Sequence, residues 1–472
     1  MASPLRIRNE DSALHRPRLV AVPHAARIST SQVLSALSHA LDLTEGQPIG
    51  HSVRSCVIGM RIGETLGLDG RERAALFYAM LLKDAGCSSN AARMSSLFGS
   101  DERLVKKRMK RVDWHDAIGL AFNTARNSAI GRSLGERVRH FLGMARTEGM
   151  TREIIQIRCE RGADIALRLG FPAETADAIR ALDEHWNGRG HPRGMRGCEI
   201  PLLSRIANLA QTVEVFHSTH GRRGARRVVR ARRGTWFDPE LADVVLSWKS
   251  DREWWGRLRD SDITHATADL EPSEHERWLD ESALDEVARA FADIIDAKSP
   301  FTFRHSSNVA EYACGIARQM GLGGIEEQRL RRAGLLHDIG KVGVSNQILD
   351  KRGPLTAVER MEVERHPAFT WEILSRIEAF RGFAWTASVH HEKLDGSGYP
   401  WRLGAAHLDV PARILGIADM YEALVADRPY RGGLSSDVAF GILQSESGTK
   451  LDPDGIDALR EYVREREQAI EL

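Results

Sequence analysis

The feature that most constrains the fold is a set of short motifs that recurs in the two halves of the chain. The earlier motifs recur at an offset of 254 residues and the last at an offset of 208 residues, so the N-terminal half carries 46 extra residues near positions 90 to 150. Repetition of this kind predicts two copies of one structural unit. The matching motifs are His51-Ser52 with His305-Ser306, Lys83 to Gly86 with His337 to Gly340, and Asn187 to Pro192 with Asp395 to Pro400.

The apolar residues of both halves predict helices. They recur at i, i+3, i+4 and i+7, which is the spacing of one helical face, and strict alternation of apolar and polar residues is rare. Leu284, Val287 and Phe291 belong to one such face, and Thr356 followed by Glu359 is a capping box that opens another helix. We therefore expect an all-α fold made of two tandem helical bundles.

The pattern divides the chain into four parts, and 472 residues are too many for one ordinary core. Residues 1–30, with scattered prolines and arginines, are expected to be a flexible lead. Residues 31–249, called the N-terminal half, and residues 282–472, called the C-terminal half, are the predicted domains. Between them the helical pattern is lost, so residues 250–281 are expected to be a linker.

The charge balance and the cysteines bear on the binding partners and the cellular location of the protein. Lysine and arginine number 66 against 65 aspartate and glutamate residues, which gives no reason to expect a nucleic acid or a membrane as partner. The five cysteines form no Cys-x-x-Cys pair, as is typical of a reduced protein without a thiolate zinc site. We find no export signal and no apolar run of membrane-spanning length, and we expect a cytoplasmic location.

The C-terminal half concentrates side chains that can bind metal ions. Imidazole and carboxylate ligands suit iron or manganese, and also zinc or nickel, so the residues alone do not identify the metal. Three or four ligands satisfy one ion, and the larger number here favours two divalent ions. Two ions suit phosphodiester hydrolysis because they share the negative charge that develops on the phosphate. The candidate ligands are His305, His337, Asp338, His366, His390, His391 and Asp419.

Two features beside these residues have both a functional and a simpler interpretation. The stretch from His390 to Pro400 contains two carboxylates, two glycines and a tyrosine, and it is either a ligand-binding loop or a polar turn after a helix. Lys341 lies three residues after Asp338 and hence on the same helical face. It could contact a phosphate oxygen, or it could be an exposed lysine stabilised by the helix dipole.

Taken together, the motifs of the C-terminal half resemble the HD-GYP domain. This is the branch of the HD phosphohydrolase superfamily that hydrolyses cyclic dinucleotides in bacterial signalling. The resemblance extends from about residue 282 to residue 472. It includes His305-Ser306, His337 to Lys341, His366-Pro367, His390 to Pro400, and Asp419 through Ala423-Leu424 to Arg428-Pro429-Tyr430-Arg431.

The resemblance implies roles for particular residues. All seven candidate ligands would bind the metal pair, with Asp338 bridging the two ions. Lys341 would assist catalysis beside Asp338 and contact the substrate, together with Tyr399, Arg428 and Arg431. Arginine forks suit phosphates, and a tyrosine offers both a ring and a hydroxyl.

The resemblance also implies an activity, namely hydrolysis of cyclic di-GMP to linear pGpG or on to GMP. Two alternatives stay open. One is a signalling adaptor that binds a cyclic dinucleotide with little turnover, although an adaptor has no physical need for a complete ligand set. The other is a hydrolase of a different cyclic dinucleotide such as cyclic GMP-AMP, which would use the same metals and differ only in its base contacts.

The sequence departs from the HD-GYP pattern at several positions. Ser299 stands where many members have an acidic residue, and Phe301 replaces the glutamate that gives some members a third metal, so we expect two metals. Ser345 stands where proline is usual, Thr370 where glycine is usual, and Leu451 where phenylalanine is usual. Thr370 is expected to tighten a helix crossing near His366.

The N-terminal half is expected to be a degenerate relative of the same domain. It keeps His51, Asp84 and Glu184, but most of the other ligands are replaced, and the positive charge of Lys83 and Arg158 predicts a metal-free pocket. Its role would be packing, or sensing and dimerisation through a signalling protein or a second copy of the chain. The replacements are Lys83 for His337, Arg158 for His366, Leu182 for His390, Asp183 for His391 and Gln211 for Asp419.

Overall fold

A computed structural model describes residues 28–110, 150–259, 270–299, 302, 304–427 and 432–471. The described chain is all-α, as predicted, and its only strands there are Ile28–Ser29 and Trp278–Leu279. Helices of the N-terminal half and the segment after it are Thr30–Thr44, His51–Leu66, Gly70–Leu82, Ala91–Phe98, Glu102–Met109, Met150–Arg168, Ala173–Arg180, Leu202–Arg232, Pro239–Ser247 and Arg252–Arg257. Helices of the C-terminal half are Glu281–Asp296, His305–Gln319, Ile325–Leu336, Asn346–Leu349, Ala357–Val363, His366–Leu374, Arg381–Ser388, Val410–Val425, Ser436–Glu446 and Pro453–Glu471.

Capping residues in the sequence explain where several of these helices begin. The Asp69 side chain accepts from the Glu72 N–H, and Glu72 returns the bond in a capping box. The predicted box of Thr356 and Glu359 is present in the same form. Asp280 caps the helix Glu281–Asp296 by accepting from Ala283. Each cap satisfies an amide that the first helical turn cannot pair internally.

The two halves begin with the same arrangement. The two short strands pair antiparallel, with Ile28 opposite Leu279, and a helix follows each strand. Near the end of the first of these helices Asp42 accepts from the backbone and hydroxyl of Ser52, and Asp296 does the same for Ser306. These bonds fix the start of the two helices that carry His51 and His305.

Most buried apolar residues of both halves form one continuous core, and two smaller clusters lie apart from it. The described parts of the predicted linker, 250–259 and 270–281, contribute to it, because Trp254 and Trp255 are buried there. The Tyr78 hydroxyl also donates to the carboxylate of Glu271. The segment predicted as a linker is therefore packed against the N-terminal half wherever it is described.

The halves also contact each other directly at the predicted site. The helix Thr30–Thr44 of the N-terminal half packs against the helical turn Ile339–Gly343 and the helix His366–Leu374. Both of these elements carry candidate site residues. Over the described ranges, we find no helix with the length and apolar character needed to cross a bilayer.

Candidate metal centre

The predicted metal ligands come from helix ends that point at one another. His305 and His366 are the first residues of their helices, and His337-Asp338 directly follow the helix Ile325–Leu336. His390-His391 follow the helix Arg381–Ser388, and Asp419 lies inside the helix Val410–Val425. All seven side chains converge, and six of these residues are buried while His391 is half-buried.

The two oxygens of Asp338 face two different groups of ligands. Its Oδ2 lies 3.4 Å from Nε2 of His305 and 3.4 Å from Nε2 of His337. Asp419 Oδ1 completes this first group, 3.5 Å and 3.7 Å from the same two nitrogens. Three of these residues, His305, His337 and Asp338, could hold a metal ion together.

The second group lies on the other side of the Asp338 carboxylate. Asp338 Oδ1 is 3.3 Å from His366 Nε2 and 3.8 Å from His390 Nε2. His391 belongs to this group through its proximity to both of these histidines, and its Nδ1 is 3.8 Å from Asp419 Oδ2. A carboxylate between two sets of ligands has the geometry of a bridging group.

Four of the histidines are oriented by a second hydrogen bond. The Nδ1 atoms of His337, His366 and His390 lie 2.7 Å, 2.7 Å and 2.8 Å from the carbonyls of Gly334, Val363 and Ala387. His305 Nδ1 lies 2.5 Å from the Glu422 carboxylate. When Nδ1 carries the proton, Nε2 presents its lone pair to the centre, as a metal-binding histidine requires.

The charge states of Asp338 and of three histidines suit metal binding, whereas His305 must lose a proton before it can bind a metal. Burial and neighbouring imidazoles lower the pKa of His390 and His391 well below the usual value, and burial lowers the pKa of His366. Burial opposes ionisation of Asp338, but Lys341 and His337 outweigh it and hold its pKa well below the usual range. In His305 hydrogen bonds to Asp338 and Glu422 outweigh burial and raise the pKa to about 10.

Two buried atoms test whether these residues fit a metal. Among the described residues, neither His337 Nε2 nor Asp338 Oδ1 has a hydrogen-bond partner. Leaving such atoms unpaired in a buried site is costly, and a cation would satisfy both. Neutral imidazoles with two carboxylates are the donors that divalent transition metals accept, so the residues fit.

Lys341 and Tyr399 lie at the edge of the cluster. Lys341 is in the helical turn Ile339–Gly343, and its ammonium is 2.5 Å from Asp338 Oδ2. The Tyr399 ring lies 4.6 Å from the His391 ring, centroid to centroid. Of the other predicted substrate contacts, Arg428 and Arg431 lie outside the described residues.

The loop after His391 is shaped by two carboxylates of the stretch that the sequence predicts as a possible ligand-binding loop. Glu392 accepts from the backbone N–H groups of Trp401 and Leu403, at 2.7 Å and 2.8 Å, and Asp395 accepts from Ser397. A side chain at Gly398 would meet Glu392 Cα at 2.4 Å, so the fold requires glycine there. The two carboxylates of the loop therefore organise the backbone and lie outside both ligand groups.

The model of the HD domain family matches residues 145–241 and 289–455. The second of these ranges contains all seven clustered ligands. The chain belongs to the HD domain family. The match also reaches the N-terminal half, although the extent of residues 31–249 as a complete second domain stays a prediction.

Two relatives and one solved structure show which proteins of this family the chain resembles. The "3'3'-cGAMP-specific phosphodiesterase 3" of Vibrio cholerae is 42% identical over 92% of this chain and 94% of its own length. The cyclic di-GMP phosphodiesterase response regulator RpfG of Xanthomonas campestris is 34% identical over only 37% of this chain and 46% of its own length. A crystal structure of a cyclic GMP-AMP specific phosphodiesterase of V. cholerae superposes with a TM-score of 0.66, at 38% identity over 93% of this chain and 98% of the other. The predicted resemblance to HD-GYP proteins is confirmed.

In the N-terminal half, basic side chains surround Asp84, the residue that corresponds to Asp338. Lys83 bonds to Asp84 and lies 3.1 Å from His51 Nε2, while Lys110 lies 3.4 Å from the other oxygen of Asp84. Arg158 pairs with Asp183. Of the two positive charges that the sequence predicted, Lys83 is therefore beside the Asp84 carboxylate, and Lys110 adds a charge that was not predicted. The absence of metal there remains our prediction.

The departures from the HD-GYP pattern have local explanations. The Thr370 hydroxyl donates to the carbonyl of His337 at 2.8 Å and accepts from Gly340 N–H at 3.1 Å, so it links two ligand-bearing elements. A Cβ at Gly340 would lie 1.9 Å from the His366 carbonyl, which shows how closely these elements approach. Ser299 donates to Asp350 at 2.6 Å, and Phe301 is outside the described residues.

Sequence reasoning missed Glu422, the hydrogen-bond partner of His305. The signal was available, because Glu214 lies 208 residues earlier and bonds to His51 in the same way. The repeat shows a glutamate at positions 214 and 422. It does not show that Glu422 bonds to His305, because the two residues are 117 positions apart.

Proposed function

We propose that the protein is a metal-dependent phosphodiesterase that opens a cyclic dinucleotide at the centre around Asp338. The observation that carries the proposal is the position of Asp338, with one oxygen toward His305 and His337 and the other toward His366 and His390. Such an arrangement suits two divalent ions. Bound there, the ions would supply Lewis-acid activation and neutralise charge on the phosphate.

The residues of the chain have separate tasks in this proposal. Asp338 joins the two groups of ligands, and the outward Nδ1 hydrogen bonds hold the imidazoles in position. Lys341 offers a positive charge to a phosphate oxygen next to Asp338, so both residues touch the reacting group. Tyr399 offers a ring on which a base or a ribose can rest. Arg428 and Arg431 are proposed to grip the phosphates, which rests on the resemblance alone.

We propose 3'3'-cGAMP as the first substrate to test. The V. cholerae relative named for this dinucleotide matches nearly the whole chain, including the N-terminal half. Cyclic di-GMP is the second candidate, since two relatives named for it match 37% and 39% of the chain. The product would be the linear dinucleotide, which is pGpG from cyclic di-GMP, or the mononucleotides.

The remaining proposals concern setting and regulation. Iron or manganese is the proposed native metal, with zinc or nickel as alternatives, and the proposed compartment is the cytoplasm. The N-terminal half is proposed to regulate or support the centre, alone or through a signalling protein or a second copy of the chain. Deleting residues 1–281 and finding unchanged rate and affinity would count against this role.

The test compares turnover of 3'3'-cGAMP and cyclic di-GMP by one anaerobic preparation supplied with iron or manganese. A variant with His337→Ala and Asp338→Ala serves as the control, and metal content is measured for both proteins. Hydrolysis by the parent that disappears together with the metal supports the enzyme. Two bound metals without turnover of either dinucleotide would favour the adaptor.

A further inference from the structure

A fully buried carboxylate of the N-terminal half has its hydrogen-bond partners, among the described residues, in the C-terminal half. Glu102 begins the helix Glu102–Met109, within the insertion that distinguishes the N-terminal half. Its Oε1 lies 3.0 Å from the ammonium of Lys298. Its Oε2 accepts from the Ser345 hydroxyl at 3.2 Å and the Asn346 N–H at 3.1 Å.

The next residue makes a second contact across the same boundary. The Arg103 guanidinium donates to the carbonyl of Gly343, and Asp101 holds this guanidinium at 2.8 Å. Gly343 is the last residue of the helical turn that carries Lys341. Glu102 and Arg103 therefore anchor the end of this turn from outside the C-terminal half.

The contacts of Glu102 also include Lys298, which precedes His305 in the chain. Lys298 lies seven residues before His305, and its carbonyl accepts from the Asn346 side chain at 2.7 Å. The Glu102 carboxylate thus ties together the start of the helix Asn346–Leu349 and the segment before His305. Because all of these partners are buried, the carboxylate fixes the distance between the two elements.

We propose that Glu102 is a positioning residue for the C-terminal centre. It holds the turn that presents Lys341, and through this turn the N-terminal half sets the geometry of the site. The inference rests on the proposed function for its effect on rate. It does not need that function for its effect on the turn itself.

The first test is kinetic and uses the full-length chain. Glu102→Gln keeps the size of the side chain but leaves the Lys298 ammonium without its charge partner. We expect kcat/KM to fall by about tenfold, because small displacements of a positioning group are costly, while metal content stays unchanged. If Glu102 acts through Lys341, the same substitution in a Lys341→Ala background causes little further loss.

Glu45→Gln is the matched control. Glu45 is also a buried glutamate of the N-terminal half, with Lys106 at 3.2 Å and Lys110 at 3.0 Å, and both partners lie in that half. It should leave kcat/KM unchanged. Fully additive losses from Glu102→Gln and Lys341→Ala, or an equal effect of Glu45→Gln, would overturn the proposal.

The second test measures amide hydrogen exchange and does not depend on enzymatic turnover. Amide hydrogen exchange should become faster in residues 339–346 of Glu102→Gln, with little change in the helix Arg381–Ser388. Ser345→Ala removes one of the bonds to Glu102 and should give a smaller increase in exchange in the same residues. It replaces Glu102→Gln in this test if that variant folds poorly. Unchanged exchange in residues 339–346 of both variants would overturn the positioning role, whether or not the parent hydrolyses a dinucleotide.

Discussion

Asp338 and Asp84 occupy matching positions in the two halves, and their partners carry opposite chemistry. Asp338 faces four imidazole nitrogens and one ammonium group, that of Lys341, whereas Asp84 faces the ammonium groups of Lys83 and Lys110. The imidazoles suit the surroundings of Asp338 to metal cations, whereas around Asp84 two lysines supply the positive charge. The same local fold can thus satisfy a buried carboxylate in two ways.

The supporting interactions of the two halves are nearly the same. A histidine at a helix start bonds through Nδ1 to a glutamate in each half, Glu422 or Glu214. Glu184 accepts from backbone N–H groups at 2.6 Å to 3.2 Å, as Glu392 does in its own loop. This comparison teaches that the scaffold and the ligand set are separable, because replacing ligands left the supporting bonds in place.

The largest effect is expected when Asp338 is replaced. Asp338→Ala removes the group shared by both sets of ligands, so turnover should fall by about 10³-fold or more and the bound metal should be lost. Dinucleotide hydrolysis and metal analysis of the same sample measure both. Retention of two metals with the parent rate would break the assignment of Asp338 as the shared ligand.

The matched substitution Asp84→Ala should act on stability instead. It leaves Lys83 without its carboxylate and Lys110 with Glu45 alone, and breaking a buried pair costs about 3–5 kcal/mol of unfolding free energy. Denaturant unfolding measures the loss, and turnover and metal content should equal those of the parent at temperatures where the variant is folded. A loss of bound metal in this variant would contradict the prediction of a metal-free N-terminal pocket.

A smaller effect is expected at the glutamate that orients His305. Glu422→Gln should weaken metal affinity or activity by about 10–100-fold, because the hydrogen-bond partner of a ligand tunes its orientation and basicity. Metal titration monitored by turnover tests this, and added metal should restore part of the rate. Glu214→Gln is the control in the N-terminal half, and an equal loss of turnover there would show that the effect is not specific to the centre.

The smallest effect is expected at Thr370, whose counterpart in the N-terminal half is Gly162. Thr370→Gly removes both hydrogen bonds of the hydroxyl and puts glycine inside a helix, which should cost about 2 kcal/mol of unfolding free energy. Thermal or denaturant unfolding measures the change. Thr370→Ser keeps the hydroxyl and should lose much less, so equal losses in the two variants would exclude the hydrogen bonds as the cause.

The sequence was most informative where a function needs particular side chains. The seven ligands follow from the residue types and from the HD-GYP motifs, and the structure brings all of them together. The two carboxylates of the loop were less predictable. Glu392 and Asp395 lie in the stretch that the sequence predicts as a ligand-binding loop or a polar turn, but the backbone that they bind is visible only in the folded loop.

The helical class, the predicted internal repeat and the candidate metal ligands can be read from the sequence, because periodicity and residue chemistry are local properties. Which oxygen of Asp338 faces which histidine, and that Glu422 supports His305, is visible only in the folded chain. The contact of Glu102 with Lys298 joins residues 196 positions apart. Such pairs depend on how distant helices pack, which no pattern along the chain encodes.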